Sequence, residues 1–220
     1  MANANDIRVL VSKQVLFKLF LLSSFCFAFE VVRMIATDSL NYIFLPFNLL
    51  LAWIPMLFAM LAANEERLGR KLLYLVVWLI FFPNAPYLIT DLIYLKPRND
   101  FPLWFDSILL YSFAFTGLMV GMFSALIIYS QLRRVFSSTV SKGFILLMML
   151  GSGYGIYLGR FLRWNSWSLL THPLSILHDT LARILHPFSY PQTYEVTIMT
   201  GLLLSIAFLL FESFTLKEEL

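Results

Sequence analysis

Long apolar runs alternate along the chain with short polar stretches rich in Lys and Arg. A membrane-crossing helix needs about 20 mostly apolar residues. Six runs come near that length: residues 15–36, 40–63, 72–90, 108–129, 143–158 and 196–211. The first contains Lys18, Glu30 and Arg33, whereas the second carries no charge but holds Pro46 and Pro55. The third is interrupted by Pro83-Asn84-Ala85-Pro86. The fifth and sixth are short and span only if flanking residues reach the interface. If one of them is re-entrant, five cross. Residues 169–190 predict a helix started by Pro173 and stopped by Pro187. Leu174, Leu177, Leu181, Ile184 and Leu185 fall on one face, with His178, Asp179, Ala182 and His186 opposite. That pattern predicts an amphipathic helix in the outer interface, placed to serve as a lid. The expected fold is therefore all-α: one integral-membrane domain over residues 1–220, a bundle of about six transmembrane spans with a broken third span.

Composition agrees. Of 220 residues, 60% are hydrophobic and 13% charged, too little polar surface for a water-soluble domain. The 22 Phe suit lipid-facing positions. The formal charge of +3 comes from short basic clusters between apolar runs, which fits topology and anchoring and argues against nucleic-acid binding. Cys26 is the sole cysteine, so no intramolecular disulfide is available. No small-residue cleavage pattern follows the first run, which reads as a retained helix.

The basic residues also predict orientation. With the N-terminus inside, Arg8, Lys13, Lys18, Arg67, Arg70, Lys71, Arg133, Arg134, Lys142 and Lys217 are cytoplasmic. Arg33, Lys96, Arg98, Arg160, Arg163 and Arg183 are then outside. Ten against six, out of 16, favours two cytoplasmic termini.

Polar residues at membrane depth are costly and mark candidate sites. Glu30 lies twelve residues past Lys18, and Asn84 twelve past Leu72, so both sit roughly 18 Å in from one boundary. Arg33, Asp91, Asp106, Arg160 and Arg163 form a second layer nearer the outer surface. The two prolines of the third run free carbonyls, a break tolerated against protein or a wet cavity. Asn84 either lines that cavity with those carbonyls, as in many transporters, or satisfies the loose backbone. Glu30 and Arg33, three apart on one face, can neutralise each other. Alternatively, Glu30 takes up a proton in a cavity and Arg33 binds an anion. Arg160 and Arg163 offer two forks for a phosphate or carboxylate, or else anchor the interface with Trp164 and Trp167. Gly151, Gly155 and Gly159 make one smooth helical face, and Gly117, Gly121 and Ala125 another, suited to packing on each other. His172, His178 and His186 match no zinc spacing, and no metal or cofactor is expected. No nucleophile motif is present either.

Two segments carry a family resemblance: Phe82-Pro83-Asn84-Ala85-Pro86-Tyr87-Leu88-Ile89-Thr90-Asp91-Leu92 and Gly159-Arg160-Phe161-Leu162-Arg163-Trp164-Asn165-Ser166-Trp167. In both, the chain resembles the bacterial integral-membrane family catalogued as domain of unknown function 1361. The resemblance implies a multi-pass protein of the bacterial cytoplasmic membrane and no particular activity. The residues themselves point to a protein that binds or carries an anionic solute or lipid headgroup, with Asn84, Asp91, Arg160, Arg163, Glu30 and Arg33 as ligand-binding residues. The bilayer is its expected partner. The alternatives are a membrane enzyme acting on a lipid-linked substrate, with Asp91, Asp106, Glu30 or a histidine as base, and a non-catalytic partner of another membrane protein.

Overall fold

The computed structural model describes residues 13–97 and 101–215. Arg8, Arg98 and Lys217, used above for orientation, lie outside the described residues. The described residues form helices joined by short connections, without strands: α1 (Lys13–Thr37), α2 (Phe44–Asn64), α3 (Leu68–Phe81), α4 (Asn84–Tyr87), a 3-10 segment (Leu88–Tyr94), α5 (Leu103–Leu132), α6 (Ser138–Phe161), α7 (Ser168–Thr171), α8 (Pro173–Leu185), a 3-10 turn (Pro187–Ser189) and α9 (Pro191–Thr215). Counting Leu68–Tyr94 as one stretch, six of these are long and apolar enough to cross a membrane. Side chains such as Phe17, Phe20, Ile35, Leu147 and Met199 stand exposed on them. An aqueous surface would not carry so much bare hydrocarbon, whereas lipid welcomes it. The chain is a multi-pass membrane protein.

The fifth and sixth spans are longer than their apolar runs suggest. The helices α6 and α9 have 24 and 25 residues, or roughly 36 Å at 1.5 Å per residue. Polar residues such as Ser138, Lys142 and Thr193 continue the helix past the apolar stretch.

Contacts divide the chain into two compact units, Met1–Ser138 and Thr139–Leu220. In the first, α5 is the hub: 72% of its most apolar stretch is buried, against 22% for α1. Leu45, Leu49, Ala85, Leu88, Leu109, Leu110 and Phe113 form the core with Cys26 and Tyr42. After α3, Pro83 and Pro86 can donate no backbone hydrogen bond. The backbone N–H of Ala85 reaches the Phe82 carbonyl (3.1 Å) and that of Tyr87 reaches Pro83 (3.0 Å). The Asn84 side chain donates to the Phe81 carbonyl at 2.9 Å. The chain then tightens into the 3-10 segment. Gly117 and Gly121 face this stretch. A Cβ on Gly117 would lie 2.6 Å from the Ala85 carbonyl oxygen, and one on Gly121 3.0 Å from the Ala85 Cβ. The fourth span's glycines thus seat the Pro-Asn-Ala-Pro stretch.

In the second unit α6 meets α9 at another glycine. A Cβ added at Gly151 would meet nothing within 4 Å. Gly153, two residues on, meets the Thr197 carbonyl oxygen and the Gly201 nitrogen, while Gly201 meets Leu150. The α6–α9 crossing thus runs over Gly153, on another side of the helix from Gly151.

Candidate functional site

In the first unit, polar side chains from several spans are buried. Arg33 of α1 and Asp106 of α5 form a bidentate pair, Nε to Oδ1 at 2.7 Å and Nη2 to Oδ2 at 3.2 Å. Their side chains are 0% and 2% exposed. The guanidinium also stacks over the Tyr42 ring, 4.2 Å from its centroid, with Phe101 at 5.8 Å. Such contact favours a cation short of water. The Tyr42 hydroxyl donates to the Tyr94 carbonyl at 3.2 Å, tying this group to the 3-10 segment.

This corrects the expected Glu30–Arg33 pair. A carboxylate on the facing helix can take the planar fork side-on, through Nε and Nη2 at once, a geometry that favours it over a neighbour three residues away on the same helix. Glu30 is left 1% exposed. Neither of its carboxylate oxygens, nor Arg33 Nη1, finds a hydrogen-bond partner among the described residues.

Asp91, 1% exposed, accepts from Asn48 Nδ2 at 3.0 Å. Asn84 is half-buried with its amide on the backbone of its own turn. Deeper polar contacts also cross between helices: Cys26 Sγ with Thr116 Oγ1 (3.2 Å), Trp53 Nε1 to Ser23 Oγ (3.0 Å) and Trp78 Nε1 to Ser124 Oγ (3.2 Å).

In the second unit the polar contacts gather around Arg183. It donates through Nε to the Tyr157 hydroxyl (3.2 Å) and through Nη1 to the Asp179 carbonyl (2.7 Å), and lies over the Tyr190 ring at 4.8 Å. Asp179 accepts from Trp164 Nε1 at 2.8 Å, Thr180 from the Tyr154 hydroxyl at 2.9 Å, and the Arg183 carbonyl from the Tyr194 hydroxyl at 2.8 Å. These bonds fasten α8 to α6 and α9. Arg160 is half-buried in the last turn of α6, and Arg163 is exposed with a left-handed φ of 60°. His172, His178 and His186 are all exposed, and among the described residues no group of three or more His, Cys, Asp or Glu is arranged to hold a metal ion.

Of the six sequence candidates, Glu30 and Arg33 share the buried centre, and Asp91 is buried in the same unit. Asn84 serves its own backbone, while Arg160 and Arg163 belong to the second unit. Sequence reasoning missed Asn48 and Tyr42 as partners and overlooked Arg183. A polar residue inside a charge-free run is itself a signal, and Asn48 carried it.

No curated protein and no solved structure matches the chain. A family model does match, over residues 47–207, with the description "Protein of unknown function (DUF1361)". The match takes in Asn48, Asn84, Asp91, Asp106, Arg160 and Arg163; Glu30 and Arg33 lie ahead of it. Covering well over half the chain, it shows that this protein belongs to that family.

Proposed function

We propose that this protein binds, and in carrying it moves across the membrane, a small polar solute, with the centre of recognition in the first unit. The reading rests on one observation: at Glu30, spanning-helix polarity is buried beyond what helix packing uses. Burying a carboxyl group without a hydrogen-bond partner is costly. A protein that retains it gains something other than stability. Asp91, Asn48 and Tyr42 supply further polar groups in the same unit.

The Arg33–Asp106 pair moves the emphasis within this reading. An anionic solute or headgroup drew support from Arg33, Arg160 and Arg163, but the Arg33 fork is already engaged by a carboxylate. Orientation with both termini cytoplasmic remains part of the proposal on the basic-residue bias, and a bacterial cytoplasmic membrane on the family resemblance alone. So does an interfacial position for α8. Its Leu174, Leu177, Ile184 and Leu185 are exposed while Asp179, Thr180 and Arg183 bond inward, which suits a helix with its apolar side in lipid.

The test is a screen of solutes against the purified full chain, reading the thermal melting midpoint, with wild type beside Asp91→Asn. A solute that stabilises wild type and loses its effect in a still-folded variant supports the reading. A screen in which no solute discriminates the two sinks it and favours a partner-subunit role.

A further inference from the structure

Resting on that reading of the first unit, we infer that the site formed by Glu30 and Arg33 takes an organic monocation, a small ammonium compound with a neutral oxygen beside its nitrogen.

The argument begins with what is left over. Glu30 offers two acceptor oxygens and Arg33 one donor nitrogen, Nη1, all buried and without partners among the described residues. The two side chains are 1% and 0% exposed, three residues apart on one face of α1. Buried polar groups in a folded protein are matched in nearly every case. The complement of two acceptors and one donor is a molecule with at least two N–H groups and one acceptor oxygen.

Charge then narrows the class. Among the described residues, with Glu30 held ionised by the bound ligand's own charge, Glu30 and Asp106 set two carboxylates against the single Arg33 guanidinium, an excess of one negative charge. Asp106 already engages Nε and Nη2 of Arg33, so the excess resides on Glu30. A single positive charge on the ligand cancels it, and an isolated charge at this depth is what the bilayer penalises most. An amine with a hydroxyl, ether or carbonyl oxygen brings the cation to Glu30 and the acceptor to Nη1. A zwitterion restores the excess charge through its own carboxylate. A bare metal cation satisfies Glu30 but leaves Nη1 unmet.

The experiment is a thermal melt of the purified full chain in detergent, with potassium chloride holding ionic strength. The probes are ethanolamine, ethylammonium, glycine and sodium chloride. A ligand that binds only the folded state raises the midpoint in a saturable way. Ethanolamine is expected to give the largest rise, ethylammonium a smaller one because it lacks the oxygen, and glycine and sodium little. Glu30→Gln should lose the ethanolamine shift. If that variant does not fold, the order of the four probes on wild type decides by itself. Sodium matching ethanolamine, no response to any amine, or an ethanolamine shift retained in folded Glu30→Gln overturns the inference. If amines fail while another solute stabilises wild type but not Asp91→Asn, the ligand class is wrong and the solute-binding reading stands.

Discussion

The two units use buried arginine differently. In the first, Arg33 projects from a membrane-spanning helix, is met by a carboxylate from another span, and has an unmatched glutamate three residues away. In the second, Arg183 projects from the short helix α8 and is met by a tyrosine hydroxyl, a backbone carbonyl and two aromatic rings, with Asp179 Oδ1 at 3.7 Å. The second arrangement has the marks of a fastening. Its bonds are local, and removing it loosens one short helix. The first brings ionic groups into helices that must cross hydrocarbon and leaves one of them over. That difference argues for recognition in the first unit and architecture in the second.

Asp106→Ala gives the sharpest break. It leaves the Arg33 guanidinium buried without its counter-charge, which costs about 3–5 kcal/mol. A fall of that size in chemical or thermal denaturation of the detergent-solubilised protein is expected. A loss under about 1 kcal/mol, the range of exposed pairs, would mean the pair is solvated and the contrast between units is weaker than drawn.

Next comes the packing of the second unit. Gly153→Ala puts a methyl group against the Thr197 carbonyl oxygen, backbone that cannot swing aside. Overpacking of this kind costs roughly 1–3 kcal/mol. Gly151→Ala, with nothing within 4 Å, should leave the midpoint unchanged in the same assay. Equal effects from the two would put the crossing on the wrong face of α6. Arg183→Ala should follow at about 1–3 kcal/mol, by leaving the polar groups it bonded without partners. Faster proteolysis within residues 173–185 is the accompanying readout, and an unchanged cleavage pattern would deny the fastening role.

These same residues show what a sequence can tell. Apolar length alone located six spans, because a bilayer imposes one length on every crossing helix. The missing backbone donors at Pro83 and Pro86 were legible because proline's lack of an N–H is a covalent fact. Glu30 and Arg33 were legible as misfits in an apolar run. Partner choice was not. Periodicity puts Glu30 and Arg33 on one face, but only the packing of α1 on α5 brings Asp106 to the guanidinium. Likewise, the close approach of α9 to Gly153 was not legible, since small residues mark a helix that can be approached closely without saying from which side. Arg183 looked like one more basic residue of a connecting segment until Tyr157 and Tyr190 surrounded it.

The smallest expected effect separates these buried charges from surface ones. At the end of α2, Glu65 accepts the Arg67 backbone N–H at 2.9 Å and pairs with Arg70, whose Nε lies 2.9 Å away. The backbone bond first, and the Arg70 charge after it, hold the Glu65 carboxyl below its usual range. A carboxyl group depressed in the folded state stabilises the fold at pH above its unfolded value. That contribution disappears as pH falls through the folded value. Glu65→Gln should therefore melt slightly earlier than wild type at neutral pH and together with it in acid. Added salt should shrink the difference, since an exposed pair is readily screened. The Asp106→Ala deficit should barely respond to the same salt, because its ions are shielded from solvent. A salt response as large for Asp106 as for Glu65 would place water at the centre of the first unit and remove the basis for treating Glu30 as a buried charge awaiting its match.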